Sequence, residues 1–173
     1  MAEFERYRIV PESSTVTIVG ETSLYPIVVN VTPSGWLEAA VVDGEFAPGT
    51  DIRAEVEIAV IEFRSGNPLV DRETRRRLRA NQYPTISGAV SEVVKIDGAD
   101  ATVKGMVTFL GRDVEQEGVV RLRDPGDGAV SLTGSGHMDV QWWGLEPPTL
   151  LVLKMDPVVK VSIDLVFRPV DHL

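Results

Sequence analysis

The segment Ile52-Arg53-Ala54-Glu55-Val56-Glu57-Ile58-Ala59-Val60 alternates, placing Ile52, Ala54, Val56, Ile58 and Val60 on one side and Arg53, Glu55 and Glu57 on the other. Successive side chains of a strand point to opposite faces, so this pattern marks a strand with one apolar side. A second such run lies near the end, where Val159, Val161, Ile163, Leu165 and Phe167 interleave with Lys160, Ser162, Asp164 and Val166. Weaker alternation covers Thr15 to Val19, Ile27 to Thr32, Trp36 to Val42, Thr85 to Ile96, Thr102 to Leu110, Val114 to Leu122 and Ala129 to Met138. The separators Asp43-Gly44, Pro48-Gly49, Asp97-Gly98, Gly111 and Asp124-Pro125-Gly126-Asp127-Gly128 supply the positive-φ and fixed-φ positions of hairpins. Short reversals predict antiparallel neighbours, and about eight such strands suffice to close a small barrel able to hold one ligand. A two-sheet sandwich is the alternative, since alternation alone does not show closure.

One segment departs from period two. From Asn67 to Ala80, Val70, Thr74 and Leu78 recur at helical spacing, with Asn67 suited to cap and Pro68 to the first helical position. The reading is an all-β chain with one short helix.

The 173 residues suit one domain, spanning 1–173 with an ordered core from about Tyr7 to Phe167. A net charge of −9 opposes a phosphate backbone, which argues against nucleic acid as partner. The absence of cysteine removes disulfides, thiolate metal sites and cysteine nucleophiles. No stretch reaches the roughly 20 apolar residues of a membrane span, and the charged opening Met1 to Arg6 lacks a secretory apolar region, so the expectation is a cytoplasmic protein.

Catalytic and metal motifs are missing. His137 falls inside a predicted strand and His172 near the terminus, neither followed by a second ligand at metal spacing. There is no G-x-S-x-G, no phosphate-binding loop and no dinucleotide fingerprint after a strand, so neither catalytic residue, cofactor nor metal is assigned.

Three features are candidates for binding. The helix carries Arg72, Arg75, Arg76, Arg77 and Arg79; these form a solvated face paired with Asp71 and Glu73, or an anionic headgroup site at Arg72, Arg76 and Arg79. Trp142 and Trp143 are adjacent, so at most one ring points inward along a strand; they are core packing or the lip of a ligand site. Finally, glycines share the parity of the apolar residues: Gly88 with Ile86 and Val90, Gly105 with Val107 and Phe109, Gly118 with Val120, and Gly134 and Gly136 with Met138. Missing inward side chains leave volume for a ligand, walled also by Val56, Ile58, Val60, Val161 and Ile163. Alternatively the glycines serve bends and bulges.

Several segments resemble, in order, those of YceI-like proteins, the lipocalin-shaped polyisoprenoid-binding family. They are Tyr7 to Val19; Ser65-Gly66-Asn67-Pro68 with Asp71-Arg72; Tyr83-Pro84-Thr85-Ile86; Val103 to Gly111; and Trp143-Gly144-Leu145-Glu146-Pro147-Pro148. The resemblance covers nearly the whole chain. It implies an eight-stranded antiparallel lipocalin-like barrel with a helix over it, a lumen for a long isoprenoid or other lipid-like chain, often a homodimer, and no enzymatic activity for the family as a whole. Where many members carry a histidine soon after the second strand, this chain has Tyr25-Pro26-Ile27-Val28. The expectation is a non-enzymatic binder or carrier of an isoprenoid or fatty acyl chain. The alternatives are an enzyme acting on a hydrophobic substrate and a stress-related dimer with a packed lumen.

Overall fold

The computed structural model describes residues 3–147, 149–150 and 152–170; Pro148 and His172 lie outside them. The strands are β1 (Phe4–Ile9), β2 (Thr15–Thr22), β3 (Ile27–Val31), β4 (Ser34–Val42), β5 (Glu45–Phe46), β6 (Ile52–Ala59), β7 (Thr85–Asp97), β8 (Asp100–Phe109), β9 (Arg112–Arg123), β10 (Val130–Asp139), β11 (Thr149–Leu150) and β12 (Leu153–Pro169). Helix α1 (Pro68–Arg77) stands between β6 and β7. Every strand pairing is antiparallel, in the order β1-β4-β6-β7-β8-β9-β10-β12, and β12 returns to β1. This is a closed eight-stranded barrel, as the turn chemistry predicts; the sandwich is excluded.

The barrel is not uniform along its axis. The three-residue 3-10 turn Pro11–Ser13 breaks the first strand into β1 and β2, and Ser14 fastens the break: its hydroxyl donates to the Val10 carbonyl at 2.8 Å and accepts from the Val166 amide at 2.9 Å. Beyond the break β12 exchanges partners. Phe167–Pro169 pair with β1, whereas Met155–Asp164 pair with β2, which in turn pairs with β3. Among the described residues the outer edge of β3 makes one bridge, from Asn30 to Arg64. The gap left there is filled from inside by Val60, Phe63, Val70 and Leu78, all buried.

Two core clusters follow from this division. Around β1 and β4 the lumen is filled by Tyr7, Leu37, Phe46, Leu122, Leu165 and Phe167, the last fully buried. Around β2 and β3 the core consists of Val16, Val29, Ile58, Phe109 and Trp143 together with the inner face of α1. Ile163 packs against both.

α1 forms where the sequence predicts it, ending at Arg77 instead of Ala80. Asn67 Oδ1 accepts from the amides of Leu69 at 3.0 Å and Val70 at 3.3 Å, satisfying two of the free donors of the first turn. Asp71, buried, accepts from the Ser65 amide at 2.8 Å and its hydroxyl at 2.6 Å, anchoring the incoming loop. Arg79 terminates the segment in the left-handed region, with φ of 50°.

Candidate functional site

The second half of the barrel is hollow. A cavity of about 260 Å³ lies between the wall strands and α1, close to the lower bound of about 300 Å³ for small-molecule pockets. Its wall is built from the inward positions of six strands: Val16 and Ile18 of β2, Ile27 and Val29 of β3, Val56 and Ile58 of β6, Ile86 and Gly88 of β7, Val107 and Phe109 of β8, and Val159, Val161 and Ile163 of β12. Met138 and Val140 extend it past β10, and Trp143, Leu145 and Met155 border it. Alternation accounts for this composition, since each strand that turns one face outward to water must turn an apolar face inward. The polar residues that border the wall are Thr74 and Arg77 of α1, Ser87 and Asp156, and almost all of the lining surface is apolar.

The two tryptophans differ in burial although their ring centroids lie 6.2 Å apart. Asp139 Oδ1 accepts from the Gln141 amide and starts a 3-10 turn, Val140–Trp143, that ends on Gly144 with φ of 81°. A turn rotates consecutive side chains apart without a strand's strict opposition. Trp143 is buried on the cavity wall, its indole donating to the Val107 carbonyl at 2.9 Å and its ring 6.2 Å from Phe109. Trp142 is half exposed outside.

Of the positions predicted to face a ligand, Val56, Ile58, Gly88, Val107, Phe109, Met138, Trp143, Val161 and Ile163 line the cavity. Val60 is buried in the core beneath α1, and Val120 packs against the filled half. The glycines divide by what a side chain would meet. At Gly88 there is nothing within 4 Å of an added Cβ, so the site is open lumen. At Gly105 an added Cβ would lie 2.9 Å from the Ala89 carbonyl oxygen, beside the bulge between Val90 and Glu92, and at Gly134 it would lie 3.0 Å from the Val119 carbonyl. The expectation that these two leave space for a ligand is therefore corrected: they permit close approach of neighbouring strands. Gly118 and Gly136 are open but exposed. Pairing of β9 with β10 ends at Gly134 and Val120, two positions before the register would bring these two glycines opposite each other, and they border a parting of the wall.

The arginines also divide. Arg76 is held by Glu73, with Nε to Oε2 at 3.0 Å and Nη2 to Oε1 at 2.5 Å. Arg79 lies over the Tyr83 ring at 5.1 Å, and Arg72 is exposed. None of these three lines the cavity; Arg77 does. His137 is exposed on β10, opposite Lys160. Among the described residues no group of three His, Asp or Glu is placed to hold a metal, and no helix is long and apolar enough to cross a membrane.

No protein-family model and no curated protein matches the sequence. Solved structures do match the fold. The chain is similar to BcnA of Burkholderia cenocepacia, with a TM-score of 0.78 and 16% identity over 91% of this chain and 98% of that one. It is similar to a polyisoprenoid-binding domain from Saccharophagus degradans implicated in plant cell wall breakdown, with a TM-score of 0.75 and 13% identity over 95% and 98%. It is also similar to the Campylobacter jejuni YceI protein, with a TM-score of 0.66 and 14% identity over 88% and 85%.

Proposed function

We propose that this chain, built on the barrel shared by the YceI protein and the polyisoprenoid-binding domain, belongs with the YceI-like proteins and binds or carries an apolar chain, an isoprenoid or a fatty acyl tail, in the hollow half of its lumen. The observation that carries this reading is the cavity wall: strand after strand contributes Val, Ile, Phe or Met, and the few polar groups gather at α1, Ser87 and Asp156. Each buried methylene contributes about 0.8 kcal/mol. A bound chain of about ten carbons therefore gains about 8 kcal/mol before the association cost of about 4 kcal/mol or more. The affinity of a chain filling only the cavity is accordingly modest, and it rises with every further carbon covered as the tail extends along the wall. Cavity size also argues against a long open tunnel, because Leu37, Leu165 and Phe167 close the other half. The alternative of a wholly packed lumen has no support from this wall.

Displacement of an environment-sensitive apolar fluorophore by isoprenoid alcohols and fatty acids of increasing length tests the reading. The expected result is saturable displacement that strengthens with chain length. Failure of every chain to displace the probe, with protein shown to be folded, would overturn it.

A further inference from the structure

We propose that the cavity selects amphiphiles whose apolar chain ends in an anionic head, a carboxylate or a phosphate monoester, and that Arg77 binds that head. The inference rests on the reading of the cavity as a chain-binding site and adds the chemistry of the other end of the ligand.

Arg77 and Asp156, both exposed, are the charged residues that border the otherwise apolar cavity. On α1, Thr74 precedes Arg77 by three residues, so a hydroxyl and a guanidinium share one face of the helix, above the buried Leu78. Arg77 is oriented by a single bond: Nε donates to Glu73 Oε1 at 3.1 Å. Both of its terminal nitrogens are without a protein partner among the described residues, and these present the planar pair of donors that fits two oxygens of a carboxylate or phosphate. Glu73 does not cancel this charge, because it is shared with Arg76. Two guanidinium groups around one carboxylate leave the trio with a net charge of about +1, next to the further cations Arg72 and Arg75.

Asp156 gives the site a direction. Its Oδ1 accepts from the Val158 amide at 2.8 Å, so the carboxylate is fixed on the β12 side of the cavity. An anionic head is repelled by Asp156 and drawn to Arg77, while a cationic head would have the opposite preference. The same residues thus separate three classes of head.

The test compares four twelve-carbon ligands below their micelle concentrations: dodecanoate, dodecyl phosphate, dodecanol and dodecylamine, each displacing the same apolar fluorophore. We expect the two anions to bind about fivefold to tenfold more tightly than dodecanol, as one or two charge-assisted hydrogen bonds at a half-exposed site would give. Arg77→Gln should remove that advantage, so that the anions bind no more tightly than dodecanol to the variant, Asp156→Asn should strengthen the anions, and Arg72→Gln, outside the cavity, should change nothing. Millimolar inorganic phosphate should fail to compete, which distinguishes a lipid head from free phosphate. Equal binding of all four heads, unchanged by Arg77→Gln, would overturn the assignment while leaving the chain-binding reading intact. Preference for dodecylamine would overturn it in favour of Asp156. Absence of binding by dodecanol and the anions alike would overturn the underlying reading as well.

Discussion

The indole Nε1 of Trp143 donates to the main-chain oxygen of Val107 across 2.9 Å, joining a turn after β10 to the middle of β8. The bond fixes a buried ring against Phe109 on the cavity wall and satisfies the one polar atom that the ring carries into the core.

Trp143→Phe should therefore lower stability by about 1–2 kcal/mol, the usual consequence of losing a buried partner together with some ring contact. Urea denaturation measures the loss. The same variant should reduce the change in tryptophan emission on ligand binding, since Trp143 is the tryptophan that lines the cavity and Trp36 is on β4, away from it; retention of the full change would contradict this placement.

Glycine substitutions should separate lumen from scaffold. Gly88→Leu projects into open space and is expected to fold while weakening chain binding about tenfold. Gly105→Ala, directed at the Ala89 carbonyl, is expected to lower stability by about 1–3 kcal/mol. Melting temperatures and probe affinity, measured on both variants, check the contrast; equal destabilisation would refute it.

Asn67→Ala should cost about 1 kcal/mol, because two amides at the start of α1 lose their acceptor. Since α1 and its C-cap supply Thr74, Arg77 and Leu78 to the cavity wall, ligand release should accelerate more than overall stability falls. Stopped-flow dissociation rates provide the measurement.

The phenol of Tyr7 is pushed up to about 12, first by burial and then by the nearby Glu5 carboxylate. In the unfolded chain it ionises near 10, so between these values the folded state keeps a proton that the unfolded state has released. This contribution, on the order of 2 kcal/mol, is fully present below pH of about 10 and disappears as the pH rises through about 12. Tyr7→Phe should flatten the alkaline limb of the stability profile, measured by denaturation across that range.

At the other extreme, the Glu73 carboxyl is held down to about 2 by its hydrogen bonds to Arg76 and Arg77. Its contact with Arg77 should persist as the pH falls from neutrality to about 4, and be lost only nearer 2. Weakening of dodecanoate binding over the upper part of that range should then track protonation of the ligand, whereas dodecyl phosphate should retain its advantage; a parallel loss of both would refute the persistence of the contact.

Most of the barrel was legible because alternation reports directly on which face of a strand is buried. β1 was not proposed as a strand, since Tyr7 and Ile9 are its only buried residues and arginines surround them. The early part of β12 was missed because the bulge between Met155 and Val159 shifts the period and Pro157 resembles a stop signal. Parity placed Gly105 and Gly88 on the same inward side, yet their environments differ, because distance between neighbouring backbones is a property of two strands. Arg77 had a readable signal: it follows Val70 by seven residues, on the same stripe as Thr74 and Leu78.

The exchange of partners by β12 also governs how the chain folds. Ile9 pairs with Phe167, and Ser14 bonds to an amide 152 positions away. Closing a loop of that length carries a large entropic cost before any contact rewards it, so barrel closure is a late, slow event. During synthesis β1 can pair with β4 and β2 with β3, but the other edge of each must wait unpaired until β12 has emerged, and that edge is exposed to strand-to-strand association for almost the whole of translation.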